Sequence, residues 1–83
     1  MPFITYIIYS EKLDRYYIGS CEDIIVRLER HNMGRNISTK AGVPWKLMYT
    51  EQYNTRSEAQ SRENEIKRKK SSIYIDWLIN SVG

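Results

Sequence analysis

The sequence predicts an α+β fold: a small three-stranded antiparallel β-sheet flanked by helices, with the elements in the order ββαβαα. Three observations carry that prediction. A β-branched and aromatic run opens the chain and is answered, after a polar turn, by a second one; two later segments each open on a helix-capping sequence; and a third strand-like run lies between them. The chain has 83 residues, which suits one domain spanning 1–83. At this size only ~60–65% of the unfolded surface is buried, so every apolar face has to be used.

Residues Phe3 to Tyr9 are apolar on both faces, as a central strand requires. Ser10 to Asp14 is a polar connection, and Arg15 to Gly19 returns as the second strand of a hairpin. Gly19 ends that strand, where the lack of a Cβ lets another group come close. A first helix is expected to open at Ser20-Cys21-Glu22-Asp23, with Ser20 as its cap and Ile24, Ile25 and Leu28 as its buried stripe. Gly34 is its stop signal. Arg35 to Pro44 is a polar, basic loop of the kind that carries function, and Trp45 to Tyr53 reads as the third strand. Thr55-Arg56-Ser57-Glu58 has the form of a capping box, so a second helix starts there, with Ala59, Arg62 or Glu63, and Ile66 facing inward. Ile73 to Ile79 forms a short final helix, and Trp45 and Trp77 are expected in the core.

The formal net charge is +3, and its distribution says more than its size. Arg27, Arg30, Arg35, Lys40 and Lys46 are opposed in their stretch only by Glu29, and Lys67-Arg68-Lys69-Lys70 forms a second basic cluster. Two basic zones separated by ordered structure fit a phosphate-facing surface. Cys21 is the single cysteine, which excludes an internal disulfide or a multi-cysteine metal site and leaves it as a packing residue. No run approaches the ~20 apolar residues of a membrane span, so the expected location is cytoplasmic.

Several residues stand apart from this fold argument. Tyr6 and Tyr17 lie in the two strands of the hairpin, which can bring their hydroxyls to one locus. Arg27 and His31 are four apart on the first helix and share a face. Glu63 falls beside Ala59 and Ile66, where a carboxylate is costly unless something pairs with it.

These positions resemble the GIY-YIG nuclease family. Tyr17-Ile18-Gly19 matches the second half of the signature, and Ile4-Thr5-Tyr6 stands in the place of Gly-Ile-Tyr, keeping the tyrosine. Arg27 falls where the family has its arginine, His31 one turn later where members carry His or Tyr, and Glu63 where the metal-binding glutamate lies. The resemblance runs from Phe3 to Lys70 and is greatest toward small stand-alone predicted endonucleases similar to the amino-terminal nuclease domain of excinuclease. Asn80 does not have the spacing of the asparagine that many members carry downstream of the glutamate.

The resemblance implies a metal-dependent endonuclease that hydrolyses phosphodiester bonds in nucleic acid, DNA more than RNA, with roles in repair or recombination among relatives. It implies Mg²⁺ or Mn²⁺ at Glu63, Arg27 as the phosphate clamp, and Tyr6, Tyr17 and His31 sharing the activation of water. Tyr6 is favoured as the base, with His31 polarising or relaying and Tyr17 positioning. The basic residues Arg35, Lys40, Lys46, Lys67 and Lys70 are the candidate nucleic-acid contacts. The alternative is a non-catalytic nucleic-acid-binding module, or a nuclease subunit whose protein partner supplies specificity. A third reading is an interaction domain that keeps only the fold.

Overall fold

A computed structural model describes residues 2–81; positions 1, 82 and 83, the ends of the expected domain, lie outside the described residues. Strand β1 (Phe3–Ser10) is followed by β2 (Arg15–Cys21), helix α1 (Ile24–Asn32), a 3₁₀ turn at Lys40–Gly42, strand β3 (Trp45–Tyr53), and helices α2 (Arg56–Lys69) and α3 (Ser72–Ser81). The antiparallel sheet runs β2-β1-β3, so the most apolar strand is the central one, with Thr5 to Ile8 all buried.

Alternation along β1 divides the core in two. Tyr6 and Ile8 face α1 and pack with Cys21, Trp45, Ile24 and Leu28. Ile7 faces the opposite way, onto Ile18, Ile66, Ile75 and Leu78 from β2, α2 and α3. Thr5 shares that second face, and its buried hydroxyl donates to the Ala59 carbonyl at 2.7 Å, tying α2 to the sheet. A one-residue irregularity in β3, opposite Ile7 and Ile8, leaves the β1–β3 ladder kinked midway.

The capping box at Thr55 forms as expected: its side chain accepts from Glu58 N–H at 3.2 Å. Gly34 follows α1 with φ of 72°, a left-handed conformation that glycine adopts without a Cβ penalty. Four expectations are corrected. The cap of α1 is Asp23, whose carboxylate accepts from Ile25 and Val26 N–H, because β2 continues through Ser20 and Cys21 in register with Thr5 and Ile4. That starts the helix later and turns Ile25 outward, 70% exposed, while Ile24 and Leu28, one turn apart, face the sheet. Trp77 is 62% exposed, lying over Tyr74, because Ile75 and Leu78 take the buried positions of α3. The loop from Arg35 to Pro44 is no mere surface connection, since Thr39 within it is fully buried. Among the described residues no helix is long and apolar enough to cross a membrane.

Candidate active site

Tyr6 and Gly19 are cross-strand partners. The hydroxyl end of the Tyr6 ring lies against Gly19: a Cβ there would clash with the Tyr6 hydroxyl and fall 2.6 Å from its Cζ. The glycine of the Tyr-Ile-Gly motif is therefore the seat of the other motif's tyrosine. So held, the Tyr6 hydroxyl meets His31 Nε2 at 3.0 Å, and His31 Nδ1 meets Thr39 Oγ at 2.8 Å. The Tyr17 ring lies across His31, with centroids 5.2 Å apart. Its hydroxyl has no hydrogen-bond partner among the described residues.

The relay has one arrangement that satisfies every donor. Thr39 donates toward the Asn36 carbonyl, at 3.5 Å, and accepts from His31 Nδ1–H; His31 Nε2 then accepts the Tyr6 proton. Reversing the direction would leave the Tyr6 O–H without an acceptor among the described residues, and a buried unmatched hydroxyl is costly. The electrostatics agree. Burial is the main cause that lowers the His31 pKa, with the Arg27 charge adding to it, so the imidazole is neutral. Burial raises the Tyr6 pKa well above the ordinary tyrosine range; the neighbouring Tyr17, Cys21 and Glu63 also raise it and Arg27 opposes them. Tyr6 therefore keeps its proton at rest, and Nε2 is placed to receive it.

Glu63 lies on the other face of the sheet, against the edge strand β2. Ser20, paired with Thr5 on the α2 side, donates to Glu63 Oε1 at 2.7 Å. Lys67, one turn along α2, holds Oε2 at 2.6 Å. The side chain of Glu63 is 15% exposed and that of Lys67 46%, so the carboxylate is the more covered partner of the pair. Whether these residues suit a divalent ion depends on donor chemistry. Carboxylate and hydroxyl oxygens are hard donors, and no group of three or more His, Cys, Asp or Glu gathers among the described residues. Donors of this kind match the preference of Mg²⁺ or Mn²⁺ for oxygen, but both Glu63 oxygens are occupied, by Ser20 and Lys67.

Arg27 joins the two sides. It lines a cleft with Ser20, Cys21, Arg30, Arg56 and Gln60 at the β2 edge and a second hollow with His31, Arg30 and Arg35. Of the sequence-selected residues, Tyr6, Tyr17, Arg27 and His31 come together on the α1 side, whereas Glu63 lies on the α2 side with Ser20 and Lys67. The basic candidates do not form one group. Arg35 sits with Arg27, and the Lys40 side chain lies near Gly34. Lys46 pairs with Glu11. Lys67 and Lys70 line a separate cleft with Arg15 at the α2–α3 joint. Thr39 escaped sequence reading, and Ser20 was read only as a helix cap. Both are common polar residues without helical or strand periodicity to mark them, and only long-range contacts give them a role.

A three-stranded antiparallel sheet that seats the tyrosine of its first strand on the glycine of its second defines a domain with paired tyrosine motifs. The chain belongs to the GIY-YIG family: residues 2–77 match the GIY-YIG catalytic domain. It is similar to UPF0213 proteins of several Staphylococcus aureus strains, Mu3 and N315 among them, at 46% identity over 52 residues. That match covers 61% of this chain and 63% of those relatives. The solution NMR structure of a UPF0213 protein from Bacillus halodurans superposes with a TM-score of 0.62 at 25% identity, covering 100% of this chain and 87% of that one. The relatives thus lie among UPF0213 proteins, without a particular tie to the excinuclease subgroup.

Proposed function

We propose that this chain is a metal-dependent endonuclease acting as a single domain over residues 1–83, hydrolysing phosphodiester bonds in DNA in preference to RNA in the cytoplasm. The observation that carries the reading is the Tyr6–His31 hydrogen bond, a buried phenol on a neutral imidazole whose far nitrogen is fixed by Thr39. Bound at Glu63, with Ser20 orienting that carboxylate, Mg²⁺ or Mn²⁺ would stabilise charge on the scissile phosphate and leaving oxygen. Arg27 clamps phosphate oxygens with its planar fork. Tyr6 accepts the proton of the attacking water as its own passes to His31 Nε2, and Tyr17 holds the water or phosphate in line. The burial of Tyr6, 2% exposed, supports a second division of labour in which the more open Tyr17 meets the water. Phe substitutions at each position separate the two. A protein partner supplies substrate choice, with repair or recombination as the setting.

A second reading has its own observation. Lys67 sits on the Glu63 carboxylate as it would in a structural ion pair, which suits a non-catalytic nucleic-acid-binding module. Cleavage of nicked, branched and linear substrates with Mg²⁺ and Mn²⁺ decides between them. The nuclease reading expects turnover that falls on the order of 10²–10³-fold in Arg27→Ala and is abolished in Glu63→Ala, both still folded. Tight, salt-sensitive binding without turnover would establish the binding module instead.

A further inference from the structure

The most exposed large hydrophobic side chain among the described residues is Ile37, 94% open to solvent. A lone exposed isoleucine means little on its own; its mounting and its neighbours give it meaning. Ile37 is the second residue of a tight turn. Thr39 N–H bonds to the Asn36 carbonyl at 3.1 Å, and the Asn36 side-chain oxygen accepts from Ser38 N–H at 3.0 Å and from Ser38 Oγ at 2.7 Å. The far end is anchored by buried Thr39 on His31. Turn chemistry favours Asn at the first position and gives no advantage to a β-branched apolar residue at the second. The fold gains nothing from this side chain, yet a hydrogen-bonded turn presents it to solvent.

Around it the hollow is lined by Arg27, Arg30, His31, Arg35 and Asn36. No acid lines it, and among the described residues none of the three arginines is in an ion pair. An exposed apolar side chain sharing a hollow with three guanidinium groups has two complementary features to meet: phosphates for the arginines and an unstacked base step for the isoleucine. Inserting an apolar side chain between base pairs costs a few kcal/mol of stacking, least where stacking is already broken. Resting on the nuclease reading, we infer that Ile37 is a wedge that selects duplex DNA at a weakened step (a mismatch, nick or branch) and opens it beside Arg27 and His31. The substrate class is therefore locally distorted duplex, not uniform double helix or unstructured single strand.

The full chain is tested in metal-free buffer on two duplexes, one fully paired and one carrying a central mismatch flanked by 2-aminopurine. The wild-type protein is expected to bind the mismatched duplex about tenfold more tightly and to brighten the probe as the base unstacks. Ile37→Ala loses both effects while keeping its salt-dependent affinity for paired duplex; Ile37→Met, which restores an apolar tip, recovers them. An exposed position leaves the fold intact in either variant, checked by circular dichroism. Equal preference and equal brightening in wild type and Ile37→Ala would overturn the wedge. Cleavage measured separately with Mg²⁺ keeps the two ideas apart. A wedge signal without turnover sinks only the nuclease reading, and turnover indifferent to Ile37 sinks only this inference.

Discussion

His31 is the single histidine of the chain, buried and held from both ring nitrogens, which makes two consequences directly observable. Because its pKa is lowered in the fold from an ordinary 6.5, by burial first and Arg27 second, the unfolded chain takes up the proton first as pH falls. Its contribution to stability is therefore complete above about pH 6.5 and declines below it, by at most ~1.4 kcal/mol per pH unit. Thermal melts from pH 7.5 to 5.5 are expected to show this loss, and His31→Gln to flatten it. Glu11 and Glu51, held below the ordinary carboxylate range of about 4.5, lose their contributions only at lower pH. A wild-type melting temperature constant over that window would contradict the buried neutral imidazole. The other consequence concerns Thr39, which no local pattern singles out. Thr39→Val removes the acceptor for Nδ1–H, so the tautomer should shift on ¹⁵N spectra of the lone imidazole, with a stability cost of about 1–2 kcal/mol. Thr39→Ser should preserve the wild-type spectrum; an unchanged tautomer in the valine variant would remove Thr39 from the relay.

Among the elements, α2 carries two different charge arrangements on adjacent sides. Glu63 looks toward β2 and Ser20, while Arg62 looks toward β3, where its guanidinium takes both oxygens of Glu51 at 2.9 and 3.2 Å. Tyr49 and Tyr53 donate to the same carboxylate, and Arg62 reaches on to Glu65 and to Tyr74 of α3. Burial alone would raise the Glu51 pKa, but the bonds from Arg62, Tyr49 and Tyr53 outweigh it and lower it. This network clamps α2 and α3 to the sheet edge opposite the candidate site. Glu51→Ala leaves a largely covered guanidinium and two phenols without their acceptor, and is expected to cost about 2–4 kcal/mol in chemical denaturation. A loss under about 0.5 kcal/mol, the size of an ordinary surface substitution, would show the network to be ornamental. Helix starts illustrate what local sequence conveys: Thr55 announced α2 through a capping box that folds as written. Ser20 had equal credentials as a cap and was claimed by the β-ladder, because pairing with Thr5 satisfies its backbone and leaves Asp23 to cap α1.

Across the fold as a unit, the sheet acts as a partition with the tyrosines, arginine and histidine on one face and the glutamate on the other. The cations are likewise divided between the hollow of Arg27, Arg30 and Arg35 and the cleft of Arg15, Lys67 and Lys70. If a nucleic acid spans both, affinity should fall linearly on a log–log plot against salt, and Lys70→Ala and Arg35→Ala should each reduce the slope by about 1. Arg35→Ala acting alone, with Lys70→Ala silent, would confine the contact to the α1 side.

Local properties of the chain were enough to establish the order of its elements, the central position of β1 and the capped start of α2, and with the motif resemblance they nominated the tyrosines, arginine, histidine and glutamate as candidates for the site. Strand composition, capping chemistry and motif spacing are all written in short stretches of residues. Long-range packing was needed to make Gly19 the seat of Tyr6, to bring Thr39 and Ser20 onto His31 and Glu63, to set Lys67 on the carboxylate, and to turn Ile25 and Trp77 toward water. Each of those outcomes depends on which distant atoms come to lie within about 3–4 Å of one another, and pairing across a sheet is fixed by the competition of all its elements for the same core.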